Sequence, residues 1–357
     1  MTHLEKFQEK LAALGEAALI SSPQNIFYLS HFAYDDGYLL IFPDGAYLLA
    51  DFRYIEAARA SAAEGFTVLC PEGTMTDAVR ELLAKRGTKS LVLEEDHVRL
   101  SLHRRLCDTL EDVELCTGAS RTLSALRMYK DGNELAAIST AQEITDAAFA
   151  HILSYLHAGL REIDVALELE HFMRQNGAEG LAFDTIAVSG SASSLPHGVP
   201  RDRVLEKGFL TMDFGARYGG YCADMTRTVV IGRADDEMKH LYQTVLTAQR
   251  AALDAAKGGI SCKALDKIAR DIIGNAGYHG TFGHSLGHGV GIDIHEAPRL
   301  GPSVAEDEVL CPGHVVTVEP GIYLAGRYGC RIEDLIAIRT DGTVHNFTKS
   351  PKELIEI

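Results

Sequence analysis

The stretch TMDFGARYGGYCADMTRT, residues 211–228, consists of two β-rich runs separated by a turn at residues 217–220, and each run contains one aspartate. If the hairpin is centred between Tyr218 and Gly219, Asp213 lies directly opposite Asp224, with β-carbons about 5 Å apart. Two like charges at this separation destabilise a hairpin unless a cation lies between them. Taken alone, the pair is better explained by an aspartate that serves the turn or faces solvent, so a metal hypothesis needs further ligands.

A second hairpin is predicted in VVTVEPGIYLAGRYGCRIEDLIAI, residues 315–338. Gly326 is the midpoint between Glu319 and Glu333, and glycine is a favourable hairpin apex, so the two glutamates should face each other. The flanking runs are apolar, which predicts that both acids are buried. Strand alternation chooses between two adjacent acids, because Glu333 shares a face with Arg331 while Asp334 points the other way. Two hairpins that each oppose two acids are hard to explain by chance.

Histidines are concentrated in GTFGHSLGHGVGIDIHEAPR, residues 280–299, where intervening glycines allow the backbone to approach a site closely. His284, His288 and His295 fall within twelve residues. A lone histidine would more often be structural, but three of them beside two acid pairs favour a site, since imidazole is a metal ligand and a proton carrier. His197, in SSLPHGVP, is a weaker signal by itself, because a loop histidine next to proline is commonly polar surface.

Five residues are therefore expected to converge, and they are Asp213, Asp224, His288, Glu319 and Glu333. Four buried carboxylates need cations or raised pKa values. Two divalent ions would balance the four charges, and oxygen-rich ligands with one imidazole suit a hard or borderline metal such as manganese. Cobalt, zinc and iron also tolerate this ligand set.

Composition bounds the class of protein. The 357-residue chain is longer than one compact domain usually needs, and the polar segment at residues 126–132 marks a boundary between domains 1–127 and 128–357. The net charge of −16 argues against nucleic acid or an anionic membrane as a partner. The first residues lack the apolar core of a signal peptide, and no apolar run is long enough to cross a membrane. Seven scattered cysteines without a CxxC pair fit a reducing compartment, so we expect a cytoplasmic protein.

The order of elements differs between the two parts of the chain. Strands and helices alternate in residues 1–127, with a hairpin around Pro43-Asp44-Gly45 and a short strand predicted at Ile26–Leu29, which indicates an α/β unit with some antiparallel pairing. Residues 128–357 contain amphipathic helices predicted at Glu162–Asn176 and Ser261–Asn275. Each is followed by a histidine in a glycine-rich stretch and then by a hairpin with two carboxylates, which suggests an internal repeat.

These segments together resemble the pita-bread metallopeptidase family, which includes methionine aminopeptidases, prolidases and aminopeptidase P. The similarity is carried by MDFGARYGGYCADMTRT, HSLGHGVGIDIHE, TVEPGIY and RIEDL, while PQNIFYLSHF and ADFRYIEAA are similar to the creatinase-like N-terminal domain of prolidases and aminopeptidase P. The resemblance implies an α/β (α+β) fold. A creatinase-like N-terminal α/β domain would precede a pita-bread catalytic domain with a pseudo-twofold repeat and a curved antiparallel sheet.

The resemblance also implies how the ligands are shared between two ions. Asp213 would chelate one ion, and Asp224 and Glu333 would bridge both. His288 and Glu319 would bind the second ion. A water or hydroxide between the ions would be the nucleophile, with its pKa lowered by the two cations and with Glu319 as its acid/base.

Four further residues are expected at the substrate. The resemblance puts His197 and His295 at the substrate carbonyl and the developing oxyanion. His284, in the same histidine-rich stretch, is a further candidate for substrate binding. Arg299, four residues after His295, resembles the arginine that recognises the free carboxylate of a dipeptide in some prolidases. A solvent-exposed or structurally paired arginine explains Arg299 equally well.

The implied function is a dinuclear-metal exopeptidase that hydrolyses Xaa-Pro bonds, with Xaa-Pro dipeptidase (prolidase) as the first choice and small peptides with proline at the second position as substrates. Aminopeptidase P, acting on longer peptides, and a non-catalytic peptide-binding protein are the alternatives. The additional N-terminal domain disfavours methionine aminopeptidase, and the complete ligand set disfavours both the metal-free creatinase reaction and a pure binding module. The resemblance also implies a homodimer.

Overall fold

The computed structural model describes residues 1–157 and 159–357, and it divides the chain into two compact units, Met1–Arg127 and Met128–Ile357. The helices of the first unit are α1 (His3–Leu11), α2 (Pro23–Ser30), α3 (Ile55–Ser61), α4 (Met75–Arg86), α5 (Leu100–Thr109) and α6 (Ala119–Arg127). Its strands are β1 (Ala17–Ile20), β2 (Tyr38–Phe42), β3 (Gly45–Leu49), β4 (Phe66–Leu69), β5 (Ser90–Leu93) and β6 (Glu114–Thr117). They form one sheet in the order β4-β3-β2-β1-β5-β6.

The sheet of the first unit mixes two kinds of pairing. Strand β2 pairs antiparallel with β1 and with β3, whereas the outer pairs β3–β4, β1–β5 and β5–β6 are parallel. Parallel pairs need crossover connections, which the helices supply. This arrangement confirms the predicted α/β fold with some antiparallel pairing.

One element of the first unit was predicted wrongly. The run Ile26–Leu29 belongs to helix α2 and not to a strand. Ser22 caps this helix by accepting a hydrogen bond from the backbone N–H of Asn25. Pro23 lies in the first turn, where the backbone N–H that proline lacks would have no partner within the helix. The buried carboxylate of Glu94 accepts hydrogen bonds from the Ser22 hydroxyl at 2.6 Å and from the Asn25 amide at 2.7 Å. Capping and this distant carboxylate override the strand propensity of four apolar residues.

The second unit contains helices α7 (Gly132–Tyr155), α8 (Glu162–Gln175), α9 (Asp236–Ala255) and α10 (Cys262–Asn275), and a 3₁₀ turn at Gly190–Ser194. Its strands are β7 (Gly180–Leu181), β8 (Ile186–Ser189), β9 (Gly208–Phe214), β10 (Ala216–Tyr218), β11 (Tyr221–Cys222), β12 (Met225–Ile231), β13 (Gly287–Gly289), β14 (Glu296–Leu300), β15 (Val315–Val318), β16 (Gly321–Leu324), β17 (Tyr328–Arg331), β18 (Asp334–Ile338) and β19 (Val344–Asn346). No helix in the described part of the chain is long and apolar enough to span a bilayer.

The second unit repeats one arrangement, as the sequence pattern suggests. The helix pair α7–α8 is followed by the antiparallel strands β8, β9 and β12, and the pair α9–α10 is followed by the antiparallel strands β13, β15 and β18. Helices α8 and α10 both have 14 residues. The residue before each helix forms a β-bridge to a later loop, Arg161 to Val204 and Ser261 to Val309. Each half also has its own hydrophobic core.

The first acidic hairpin has a different register from the one predicted. Asp213 pairs with Thr226, because the turn is centred between Gly219 and Gly220 and not one residue earlier. Both glycines have positive φ angles, 56° and 80°, which is the requirement of a tight two-residue hairpin turn. Moving the centre by one residue moves each partner by two, so Asp224 becomes a diagonal neighbour of Asp213 on the same face.

The predicted apex of the second hairpin is confirmed. The pairs Gly321–Arg331 and Leu324–Tyr328 centre the turn on Gly326, which has a φ of 71°. The β-ladder of this hairpin ends at the Gly321–Arg331 pair and does not include the two glutamates. Glu319 instead donates its backbone N–H to Leu286 O, and Glu333 donates its backbone N–H to Thr226 O. Each glutamate is therefore tied to a strand segment that carries another candidate ligand.

A buried ion cluster attaches the C-terminal segment, residues 346–357, to the sheet. The guanidinium of Arg227 contacts Asp334 Oδ1 at 2.9 Å and donates to the backbone carbonyl of Ser350 at 2.8 Å. Lys352 Nζ lies 2.6 Å from the other carboxylate oxygen of Asp334. Although burial opposes ionisation, these two cations hold the pKa of Asp334 below its usual value. The segment is thus fixed by interactions that lie out of solvent.

Removing one partner of this cluster should destabilise the protein strongly. We expect Arg227→Met to lower the free energy of unfolding by about 3–5 kcal/mol, because it leaves a buried charge and several carbonyls without their donor. The matched control is Arg233→Met, since Arg233 is 89% exposed and pairs with Glu356 at the surface; we expect a change within about 1 kcal/mol. Urea denaturation in the presence of a chelator measures both, and similar losses in the two variants would contradict the prediction.

Candidate metal centre

A cavity of about 840 Å³ in the second unit collects the predicted site residues. All nine of them line it, and they are His197, Asp213, Asp224, His284, His288, His295, Arg299, Glu319 and Glu333. They come from both halves of the repeat, and residues up to 136 positions apart in the sequence meet here, from His197 to Glu333. Convergence of the set is therefore a property of the fold and not of any single segment.

The centre of the cavity is an imidazole surrounded by acids. His288 Nε2 lies 3.3 Å from Glu319 Oε1 and 3.6 Å from Asp224 Oδ2. The ligand atoms of Asp224, His288 and Glu333 all lie within 4.8 Å of one another. These separations are in the range that one or two ions bridge when each ligand lies about 2 Å from its metal.

The hydrogen bonding of His288 leaves Nε2 free to bind a metal. Its Nδ1 lies 3.1 Å from the backbone carbonyl of Gly289, and because a carbonyl only accepts, Nδ1 carries the proton. The lone pair of Nε2 then faces the carboxylates. Glycine is needed on both sides of His288, because a Cβ at Gly287 would lie 2.0 Å from Thr317 O and one at Gly289 would lie 2.2 Å from Ala297 O.

Arg331 is the fixed cation of the site, and the sequence reasoning missed its role. Its Nη2 lies 2.6 Å from Asp213 Oδ2, while its Nε donates to Thr226 Oγ1 at 2.9 Å. Because Thr226 Oγ1 accepts that bond, its own proton is directed to Glu333 Oε2. Arg331 therefore orients acids from both hairpins. The alternation that puts Arg331 on the same face as Glu333 was a sufficient signal to find it.

A second branch leads from Arg331 to His284. Arg331 Nη1 donates to the Tyr323 hydroxyl at 2.8 Å, and this hydroxyl lies 3.0 Å from His284 Nε2. His284 Nδ1 donates to Ser285 O at 2.8 Å, so Nε2 accepts the tyrosine proton. Burial lowers the pKa of His284 to about 4, which fits this neutral form. Both ring nitrogens are engaged, so a contact between His284 and a substrate would have to use the carbon edge of the ring.

Three predicted residues face the cavity without being tied down. His197, His295 and Arg299 are exposed, and none of their side chains has a hydrogen bond or ion pair within the described residues. Arg299 on β14 pairs with His288 on β13, so both side chains lie on the same face of the sheet. The ring of His295 meets the ring of His288 edge to face, with centroids 4.3 Å apart. These groups remain available to a ligand.

The pKa values of the acids in the cavity are strongly shifted. Burial and the negative charge of Glu333 raise the pKa of Asp224 well above its usual value. Burial and the charge of Glu319 do the same for Glu333. Burial raises the pKa of Glu319 itself to about 8. Burial lowers the pKa of His288 to about 3, so the imidazole is neutral and balances none of the charge.

The residues fit divalent metal ions on two observations. Asp213 Oδ1 is buried and has no hydrogen-bond partner among the described residues, although its other oxygen is paired with Arg331. The lone pair of His288 Nε2 faces the carboxylate oxygens of Glu319 and Asp224 at 3.3 and 3.6 Å, which is longer than an ordinary hydrogen bond. Asp213 Oδ1 and His288 Nε2 therefore each offer a lone pair that no protein donor uses. Together with the neighbouring carboxylates they suit a hard or borderline metal ion.

Chelation should make the stability of this unit fall as pH rises. Glu319 has a folded-state pKa of about 8, above its ordinary value of 4.5, so its contribution is fully present below the unfolded pKa and is lost as pH rises through 8. As a metal ligand the same carboxylate would hold no proton. We therefore expect the difference in thermal stability between manganese-loaded and chelated protein to widen from pH 6.5 to 8.5, by about 2 kcal/mol for Glu319 alone.

Thermal unfolding of the two forms in one buffer series makes this measurement. Groups outside the site, such as the buried cysteines, titrate equally in both forms and cancel in the difference. A gap that stays constant or narrows across the window would contradict the assignment of these acids as ligands.

Comparison with known proteins places this site in a family. Residues 136–340 match Metallopeptidase family M24, and residues 3–129 match the Creatinase/Prolidase N-terminal domain. The chain is 36% identical over 347 residues to a Xaa-Pro dipeptidase of Pyrococcus horikoshii, with 95% of this chain and 94% of that protein covered. The structure is similar to a Xaa-Pro dipeptidase from Bacillus anthracis, with a TM-score of 0.94, 39% identity and 99% of both chains covered.

A further solved structure, an X-Pro aminopeptidase from Thermotoga maritima, has a TM-score of 0.91 at 38% identity, with 98% of this chain and 100% of that chain covered. The relatives thus carry two kinds of exopeptidase name on one architecture. The family predicted from the motifs is confirmed, and the chain belongs to metallopeptidase family M24, with a creatinase-like N-terminal domain.

Proposed function

We propose that the protein is a metal-dependent exopeptidase that hydrolyses Xaa-Pro bonds, and that it acts as a Xaa-Pro dipeptidase. The observation that carries the proposal is the meeting of five candidate metal ligands in one cavity with Arg299, whose side chain has no partner among the described residues. The relatives named Xaa-Pro dipeptidase align over almost the whole chain and support the same substrate class. The two compact units would then be the N-terminal domain, 1–127, and the catalytic domain, 128–357.

The metal would be held by both acidic hairpins and one imidazole. Two divalent ions, with manganese first among the candidates, would be bound by Asp213, Asp224, His288, Glu319 and Glu333. When bound, such ions polarise a carbonyl and lower the pKa of water. Glu319 is proposed as the acid/base for the water, as the family resemblance implies, and Thr317 Oγ1 orients its carboxylate from 3.1 Å.

The exposed imidazoles are proposed to act on the substrate. His197 and His295 have ring N–H groups free to donate to the scissile carbonyl oxygen, where negative charge develops in the transition state. His284 is better suited to orient Tyr323 and Arg331, since both of its nitrogens are engaged. We also propose that the protein is located in the cytoplasm, which its seven free cysteine thiols support. A homodimer is proposed on family resemblance.

Asp224→Asn should abolish most of the activity. Changes to outer-shell partners of a metal alone lower affinity or activity by about 10- to 100-fold, so loss of a ligand that contacts His288 and Glu333 should lower kcat/KM further and reduce bound metal. The matched control is Asp254→Asn on the exposed side of α9, which should change neither quantity. Elemental analysis and hydrolysis of a Xaa-Pro dipeptide measure both, and full turnover by Asp224→Asn would overturn the proposed function.

Arg299 separates a dipeptidase from an aminopeptidase, because a dipeptide ends in a free carboxylate directly after proline. A charge-assisted hydrogen bond contributes about 1.5–3 kcal/mol, so Arg299→Ala should raise KM for a Xaa-Pro dipeptide by about 10- to 100-fold. A Xaa-Pro-Xaa tripeptide is the internal control and should be little affected. Equal effects on both peptides, or a wild-type preference for the tripeptide, would favour the aminopeptidase alternative that the Thermotoga maritima structure represents.

A further inference from the structure

His197 lies on a loop of the cavity wall in which several side chains are exposed. Residues 196–200 all line the cavity, and Leu195 and Val199 beside His197 are 57% and 77% exposed. The imidazole makes no hydrogen bond within the described residues. The position of its ring therefore depends on the backbone, which is held by a hydrogen bond from Arg331 Nη1 to Pro196 O at 3.2 Å and by contacts at the two ends of the loop.

One buried carboxylate holds both ends of this loop. Glu162, the first residue of α8, is fully buried. Its Oε1 accepts from the backbone N–H of Ser189 at 2.7 Å and from the Ser189 hydroxyl at 2.8 Å, at the point where β8 ends and the loop segment begins. Its Oε2 accepts from the backbone N–H of Arg201 at 3.0 Å, where the loop ends.

The side chain of Arg201 completes the attachment. Its Nε donates to Glu162 Oε2 at 2.7 Å, and its Nη2 donates to Glu162 Oε1. This is the two-pronged arginine–carboxylate geometry that fixes direction as well as distance. Although burial opposes ionisation, the hydrogen bonds from Arg201 and Ser189 hold the pKa of Glu162 below its usual value. The pair stays charged and closes residues 189–201 into a loop with fixed ends.

The internal repeat allows the starts of two equivalent helices to be compared. In the first half, Arg161 bridges to Val204 and the backbone N–H of Glu162 donates to Arg203 O. In the second half, Ser261 bridges to Val309 and the N–H of Cys262 donates to Glu308 O.

The two helix starts therefore make the same backbone contacts, but the second uses a cysteine where the first has a glutamate. A carboxylate–arginine pair at the first helical residue is present only in the half whose following loop carries His197. The second half has its own pair, Asp266 with Arg270, one turn further along α10, where Asp266 accepts from the backbone N–H of Leu286.

We propose that Glu162 and Arg201 are positioning residues that hold His197 at its place over the metal centre. The inference rests on the proposed function, since it assumes that His197 acts on the substrate. Neither residue touches the substrate cavity with a catalytic group. They act by joining the two ends of the loop, so that the imidazole reaches the reacting carbonyl without an ordering step in each turnover.

The test is a set of kinetic variants of the full-length, manganese-loaded protein. Arg201→Met should lower kcat/KM for a Xaa-Pro dipeptide by about 10- to 100-fold, the usual effect of a small misplacement of a reacting group, with metal content unchanged. Arg201→Lys keeps one donor to Glu162 and should recover part of the loss. The matched control is Arg203→Met, because the Arg203 side chain is 65% exposed and lies 3.6 Å from its nearest carboxylate.

A double-mutant cycle with His197→Ala distinguishes positioning from a general structural effect. Once the imidazole is removed, Arg201→Met should cause little further loss, so the two effects should not multiply. Multiplicative effects, loss of bound metal in Arg201→Met and Arg201→Lys, or unchanged kinetics in Arg201→Met would each overturn the inference. If His197→Ala itself leaves kcat/KM unchanged, the role of His197 in the proposed function fails, which is a separate result.

Discussion

Mutual repulsion among buried carboxylates is the constraint on which the catalytic unit depends. Asp213, Asp224, Glu319 and Glu333 share one cavity with a neutral imidazole, and a folded interior cannot keep such a group of charges without partners. Arg331 supplies one positive charge from within the protein. Divalent ions would supply the rest, and this division explains why one oxygen of Asp213 is paired while the other is left without a partner.

Strand alternation keeps two adjacent acids in different environments. Glu333 points into the cavity and accepts a hydrogen bond from Thr226, whereas Asp334 points to the opposite side and pairs with Arg227 and Lys352. The guanidinium of Arg227 also donates to the backbone carbonyl of Glu333. The ion cluster of Arg227, Asp334 and Lys352 therefore lies directly behind an acid of the metal centre, and the C-terminal segment is part of the support of the site.

The repeat of the second unit is used unequally. The first half contributes the aspartate hairpin and the loop of His197, with Glu162 and Arg201 to hold it. The second half contributes His288 on a strand with glycines at both neighbours, and the glutamate hairpin that opens at its two acids. Duplicated backbone contacts at the starts of α8 and α10 show what the architecture needs, and the differences between the halves show what the site needs.

The sequence by itself determined the identity of the candidate ligands, the apex at Gly326 and the choice of Glu333 over Asp334, because hairpin symmetry and the two-residue period of a strand are local. Local rules failed where a partner came from far along the chain. The strand predicted at Ile26–Leu29 is a helix capped by Ser22 and braced by Glu94.

Only the tertiary structure decided the partner of Asp213, since two positive-φ glycines centred the turn one residue further on. It also decided the role of Arg331 and the attachment of the His197 loop. These depend on contacts between residues 39 to 118 positions apart, such as Glu162 with Arg201 and Asp213 with Arg331. No spacing rule reaches across such separations, because their geometry is set by packing of whole elements.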